Sequence, residues 1–190
     1  GGPFRRWYGN FDYVINWLSD GYELQNTLHE TGRIRATNFN LNRIFQPGIT
    51  WSTISSSKLA MRYQPSGMIF ESKGSVCFAD TEEMRIFLLC LCNSNVLGKL
   101  LLIISPTLDY HEGPMGRLPV VSIPYNEVND RGVLCREIAR DDWNAYENSW
   151  DFLNPALLRT AIRLGTLASS YDAAATYWRS QTGILQRLEV

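Results

Sequence analysis

The sequence predicts an α+β fold: a small, mostly antiparallel sheet within the first 80 residues, a helical hairpin packed on it, and a helical C-terminal extension. Three observations carry this. Short stretches that alternate apolar and polar residues, bounded by Gly and Pro, mark strands before residue 80. The apolar tract MRIFLLCLCNSNVLGKLLLII is broken at Asn93-Ser94-Asn95, which divides it into two helices. After Asn126, apolar residues recur at helical rather than strand intervals.

The elements follow in order. FRRWYGNFDYVINW alternates aromatic and polar groups as a strand does, with Tyr13, Ile15 and Trp17 on one side of the pleat, and Asp20-Gly21 closes it with a turn. YELQNTLHETGRIRATN combines a short helical pattern with a polar loop. Between Pro47-Gly48 and Pro65-Ser66-Gly67 lies GITWSTISSSKLAMRY, which predicts two strands joined at Ser55-Ser56-Ser57. Strand alternation gives them an inner face with Trp51, Leu59 and Met61, and an outer face with Thr50, Ser52, Lys58 and Arg62. MIFESKGSVCFA adds one or two more strands. Asp80, with Glu83 three residues on, reads as a helix N-cap before the apolar run, and Asn93-Ser94 stops one helix and caps the next. Pro119 and Pro124 bracket a short extended piece, VVSI. Trp143, Tyr146 and Trp150 sit at helical spacing, and from Pro155 to Val190 a stripe of Leu157, Leu158, Ala161, Ile162, Leu164 and Leu167 predicts a further helix. The division expected is a sheet-bearing domain over 1–125 and a helical extension over 126–190. That last helix runs apolar to the chain end, so the natural polypeptide is expected to continue.

With 190 residues, 45% hydrophobic and 19% charged, the composition is that of an ordinary folded domain. No stretch reaches the roughly 18 uninterrupted apolar residues of a membrane span, and GGPFRRW lacks an apolar signal region, so no membrane partner is expected. Cys77, Cys90, Cys92 and Cys135 show no C-x-x-C spacing and read as buried, reduced thiols of a cytoplasmic protein. There is no G-x-S-x-G, phosphate-binding P-loop, G-x-G-x-x-G or H-E-x-x-H, so no catalytic residue and no metal ligand is assigned. His29 and His111 lie far apart in polar turns, and Asp141-Asp142 read as acids in the first turn of a helix.

What remains is a binding vocabulary. Net charge is −1, but residues 1–75 carry eight Lys and Arg against five Asp and Glu, and the acids gather after Glu127. A basic half joined to an acidic half suits a polyanion on one face. Arg33, Arg35, Asn38, Arg43, Lys58, Arg62 and Lys73 have the chemistry to pair with phosphates, and Arg or Asn also reads purine edges. Thr50 and Ser52 add short hydroxyl donors. Trp51 and Tyr63 are suited to stacking on bases or to packing inside the sheet.

Four stretches in this order, FRRWYGNFDYVINW with Asp20-Gly21, GITWSTISSSKLAMRYQPSGMIF, LCNSNVLGKLLLIISPTLDYHEGPMGRLPV and DDWNAYENSWDF, resemble the C-terminal half of the BREX phage-defence adenine-specific DNA methyltransferases of the PglX type. They are also similar to fused restriction and methylation enzymes, and the asparagine-serine helix break with its proline loop is similar to target-recognition domains of restriction specificity subunits. The resemblance covers about Gly1 to Phe152. It implies that residues 1–125 form a target-recognition domain that reads duplex DNA, without catalytic activity of its own. Enzymes of that family transfer a methyl group from S-adenosylmethionine to a flipped adenine through an Asn-Pro-Pro-Tyr motif. This chain has only Asn154-Pro155-Ala156-Leu157, so the resemblance implies no cofactor here. The S-adenosylmethionine site would belong to an N-terminal methyltransferase domain of the parent chain, which becomes a partner alongside double-stranded DNA and other defence-system proteins. Asp109-Tyr110 departs from the asparagine and aromatic expected after Pro-Thr-Leu; Asp109 has the chemistry to accept from cytosine's amine but repels phosphate. A rival reading makes the chain a protein-interaction module, with the acidic helices after Glu127 and Trp143 and Trp150 docking other subunits of a defence complex.

Overall fold

A computed structural model describes residues 2–35, 40–55, 58–71, 73–107, 109–121, 124, 126–159 and 161–189. Its centre is a three-stranded antiparallel sheet of β1 (Gly48–Ser52), β2 (Arg62–Gln64) and β3 (Gly74–Cys77), in the order β2-β1-β3. The expected antiparallel pairing is present, with Ile49 opposite Tyr63 and Thr50 opposite Arg62, but β2 begins only at Arg62, after Leu59 and Met61, and Ser56 and Ser57 of the expected turn lie outside the described residues; β3 pairs on the other side, with Thr50 opposite Val76. Around the sheet lie α1 (Leu18–Asn26), α2 (Glu82–Asn93), α3 (Asn95–Ile104), α4 (Glu112–Met115), α5 (Asn126–Trp143) and α6 (Leu167–Leu188). The fold is α+β, as the patterning predicts.

The core joins Ile49, Trp51, Leu59 and Met61 from the sheet region to Leu89 of α2, Leu101 of α3, and Cys135, Ala139 and Trp143 of α5. It therefore draws side chains from both sides of residue 125. At about 25 cal/mol per Å² of apolar surface, shared burial of this kind dominates the stability of a domain this size. α2 begins one residue later than expected: Thr81, not Asp80, is the N-cap, and its hydroxyl accepts the Met84 N–H at 3.2 Å. Ser94 ends α2 and caps α3 by accepting the Leu97 N–H at 3.1 Å; its extended backbone puts a 69° bend between the two helices. Among the described residues no single helix is long and apolar enough to cross a membrane, and α2 with α3 has the length only as this bent pair.

α5 lies against α2 at Gly132. A Cβ there would stand 2.4 Å from the Cys90 sulfur and 2.7 Å from Ile86 Cγ2. Alanine would gain about 1 kcal/mol of helix propensity, but Ile86 is stiff at χ1 and cannot swing away cheaply. Overpacking at about 1–3 kcal/mol outweighs the gain. Gly132→Ala is therefore expected to lower unfolding stability by about 1 kcal/mol in a urea titration; an unchanged or raised midpoint would mean that the helices separate at no cost.

Several expectations are corrected. FRRWYGNFDYVINW forms no strand: only Trp7 makes a bridge, parallel to Arg62, while Tyr13 is 92% exposed and the chain turns at Ser19-Asp20-Gly21, all with positive φ. The stripe from Leu157 to Leu167 is not one helix. Ala156–Leu158 is a short 3-10 turn, and α6 starts only at Leu167, where Thr166 and Ser169 form a capping box. Asp141-Asp142 lie in the last turn of α5, where the helix dipole disfavours acids. External partners offset this: Asp141 accepts from Arg159 and the Tyr177 hydroxyl, both at 2.7 Å, and Asp142 from Arg5 at 2.8 Å. Helical spacing stops at Trp143, so Tyr146 and Trp150 follow in turns. Ser122 and Ile123 of the VVSI piece lie outside the described residues.

Candidate nucleic-acid interface

β1 is the middle strand, so both of its edges are hydrogen-bonded, and four of its five residues are buried. That overturns the expected outer face at Thr50 and Arg62, though not at Lys58. Thr50 is buried at 7% exposure, with its hydroxyl donating to the Ser75 carbonyl at 2.9 Å. Arg62 is buried at 5%, beneath the extended N-terminal segment that bridges to it through Trp7. Trp51, at 3% exposure, takes the packing role: its indole N–H donates to the Tyr110 carbonyl at 2.7 Å. Tyr63 is half-buried between helices. Its hydroxyl donates to Glu82 at 3.1 Å, and the Arg136 guanidinium lies over its ring at 4.7 Å. Burial first, then Glu82, raises its pKa. These contacts join β2 to α2 and α5 and leave Tyr63 little freedom to stack on a base.

The exposed candidates fall into two groups at opposite ends of the sheet. At the end where β1 finishes and β3 begins lie half-buried Ser52, with exposed Lys58 and Lys73; the Thr53 N–H donates to the Lys73 carbonyl at 3.2 Å. At the other end Arg43 sits on the 41–45 turn, over the Phe78 ring at 5.7 Å. Phe45 packs edge-on to Trp17 there, tying α1 to that end, and the hairpin that follows α1 carries exposed Arg33 and Arg35 beside the Leu28–Ile34 bridge. Asn38 lies outside the described residues. Arg33, Arg35, Lys58 and Lys73 make no side-chain ion pair with the described residues. Lys73 is near enough to Glu112 to help lower that carboxyl's pKa, after the larger effect of the Ser75 hydroxyl.

One cluster was not foreseen from the sequence. A cleft of about 260 Å³ at the α2–α3 bend brings Lys58 together with Arg6 and Lys99, and no Asp or Glu lines it. Lys99 reads in sequence only as an interruption of the apolar run, and Arg6 as part of a strand. Arg6 is partly satisfied by Glu189 at 3.6 Å. Asp109, the residue suited to a cytosine amine, instead holds His111 at 2.8 Å.

Among the described residues no group of His, Cys, Asp and Glu is arranged to hold a metal ion. Burial pushes the Cys90 thiol up to about 11 and those of Cys92 and Cys135 to about 12, so they stay protonated and unreactive at neutral pH. The fold and site thus define an α+β domain with cationic groups at both ends of a buried sheet. In sequence it is similar to the adenine-specific methyltransferase PglX of Lacticaseibacillus casei (strain Zhang), with 41% identity over 182 residues, covering 95% of this chain and 15% of that protein. It is also similar to the adenine-specific methyltransferase BrxX of Escherichia coli O9:H4 (strain HS), with 33% identity over 190 residues, 99% of this chain and 14% of that protein. Identity at this level across nearly the whole chain makes it homologous to a segment of those enzymes, though the chain spans only about 15% of their length. No protein-family model matches it.

Proposed function

We propose that this chain is a DNA-contacting target-recognition region of an adenine-specific DNA methyltransferase of the BREX phage-defence type. The observation that carries the reading is its identity, over 95% and 99% of its length, with segments of two adenine-specific methyltransferases. In this reading the S-adenosylmethionine and the methyl-transfer chemistry belong to a catalytic part elsewhere in a longer parent, and this chain holds duplex DNA while an adenine is flipped toward that part. The two cationic groups support it. They lie beyond the two ends of a five-residue strand that itself spans roughly 16 Å, so they can meet different phosphates of one duplex.

Arg33, Arg35 and Lys58 are exposed and make no ion pair with the described residues, and three such phosphate contacts imply a salt slope of about −2.7. Affinity for a labelled duplex should then fall about forty-fold between 50 and 200 mM salt. Charge reversal of all three, with the fold verified by circular dichroism, should abolish most binding and flatten that slope. Affinity indifferent to salt, or unchanged in the variant, would sink the proposal. A second reading, docking to another protein surface, is favoured by the apolar face of α3, where Val96 and Ile103 are 70% and 77% exposed. The same charge-reversal variant discriminates, because it should leave such docking intact.

A further inference from the structure

Arg62 is a cation almost sealed from water and without a counter-charge. It is 5% exposed, and no carboxylate among the described residues pairs with it. Its Nε has no partner, and Nη2 makes only a long 3.4 Å bond to the Ser52 hydroxyl. The charged neighbour that acts on it most is another cation, Arg5, itself committed to Asp142. Burial and that neighbour push its pKa down, but only to about 10, so it remains charged at neutral pH. A buried charge is ordinarily paired, because an isolated one costs several kcal/mol. Arg62 lines a cavity of about 230 Å³ together with Ser52, Ile54, Ser55 and Ala60 and with exposed Gly2, Pro3 and Phe4. Its lining includes two hydroxyls and one guanidinium, and no acid.

We propose that this cavity is an oxyanion site that takes one phosphoryl group, with the Arg62 fork as its main ligand and the Ser52 hydroxyl as a second donor. The guanidinium matches a phosphate with two parallel hydrogen bonds. At about 30 Å³ for each water, the cavity has room for a phosphate and accompanying waters. The group could come from a nucleic-acid backbone or from free phosphate, and the site stands whether or not the chain selects a DNA sequence.

The test uses the 190-residue chain. Calorimetric titration with inorganic phosphate, at ionic strength held constant with NaCl, should give saturable one-site binding, and melting should rise by about 5–10 °C at a hundredfold excess over Kd. Arg62→Met should lose both effects, yet melt no lower than the parent without phosphate, since it removes an unpaired buried charge. A labelled duplex then separates the sources. If Arg62→Met weakens duplex binding about tenfold and phosphate competes, the ligand is a backbone phosphate; if the duplex binds both proteins alike while phosphate binds only the parent, it is free phosphate. No saturable phosphate binding by the parent together with unaltered duplex affinity in Arg62→Met would overturn the site. Should Arg62→Met fail to fold, Arg62→Lys takes its place in the duplex arm, and the titration of the parent needs no variant. Failure here leaves the salt-dependent effect of Arg33, Arg35 and Lys58 untouched, so the two proposals fail separately.

Discussion

Replacing Trp51 with alanine is expected to destabilise the fold by about 3–5 kcal/mol, the range for emptying a buried aromatic site. Trp51 is 3% exposed in the middle strand, and its indole N–H holds the Tyr110 carbonyl at 2.7 Å. That bond ties the start of the 110–115 segment to the sheet, alongside the Tyr110 N–H to Thr53 carbonyl bond at 2.6 Å. Trp51→Phe keeps most of the ring contacts and loses the hydrogen bond, so a loss of about 1–2 kcal/mol is expected. Chemical denaturation measures both. The pair also separates core from contact: if Trp51 stacked on a base, alanine would cost about 1–3 kcal/mol of nucleic-acid affinity in molecules that remain folded. The buried position predicts that Trp51→Phe binds duplex as the parent does. Weakened binding by a fully folded Trp51→Phe would return the residue to the interface.

Asn93 is expected to be nearly as sensitive, for a polar reason. It is 6% exposed at the end of α2, where its amide donates to the Met61 carbonyl at 3.0 Å and accepts the Met61 N–H at 2.9 Å. One side chain thereby substitutes for a neighbouring strand at a place where the sheet has ended. Asn93→Ala would leave the Met61 N–H buried without a partner, at about 2–3 kcal/mol. Asn93→Asp should be worse at neutral pH, because an anionic oxygen in place of the amide nitrogen would stand against the Met61 carbonyl at a position only 6% exposed. Such a group has a raised pKa when folded. The folded state then holds the proton more tightly than the unfolded one, so the deficit is full above the folded pKa and shrinks as pH falls through it. Urea midpoints for Asn93→Asp should therefore rise relative to the parent on acidification. A constant difference across pH would show that the side chain reaches water.

The N-terminal segment shows how a strand pattern is overridden. Its alternation of aromatics is genuine, but no neighbouring strand is available over residues 9–17, and the aromatics are used singly: Phe11 edge-on to Tyr8 and Trp143, Trp17 on Phe45. The acids Asp141 and Asp142 show the same limit. Their placement at a helix end was legible, but which end depended on Arg5, Arg159 and Tyr177, all distant in sequence.

By itself the sequence determined the α+β class, the antiparallel β1–β2 pairing between its Pro-Gly boundaries, the break at Ser94, and the exposed cations at Arg33, Arg35, Lys58 and Lys73. Each depends on local chemistry: alternation, turn residues, capping, or the hydration of a charge. Only the tertiary structure decided that Thr50 and Arg62 are buried, that Tyr63 is engaged by Glu82 and Arg136, and that Arg6 and Lys99 share a cleft with Lys58. Strand periodicity says which residues share a face, whereas what covers that face is set by contacts far away along the chain. In this protein the covering element over Arg62 is the N-terminal segment, and it turns a residue expected on the surface into a buried charge facing a cavity.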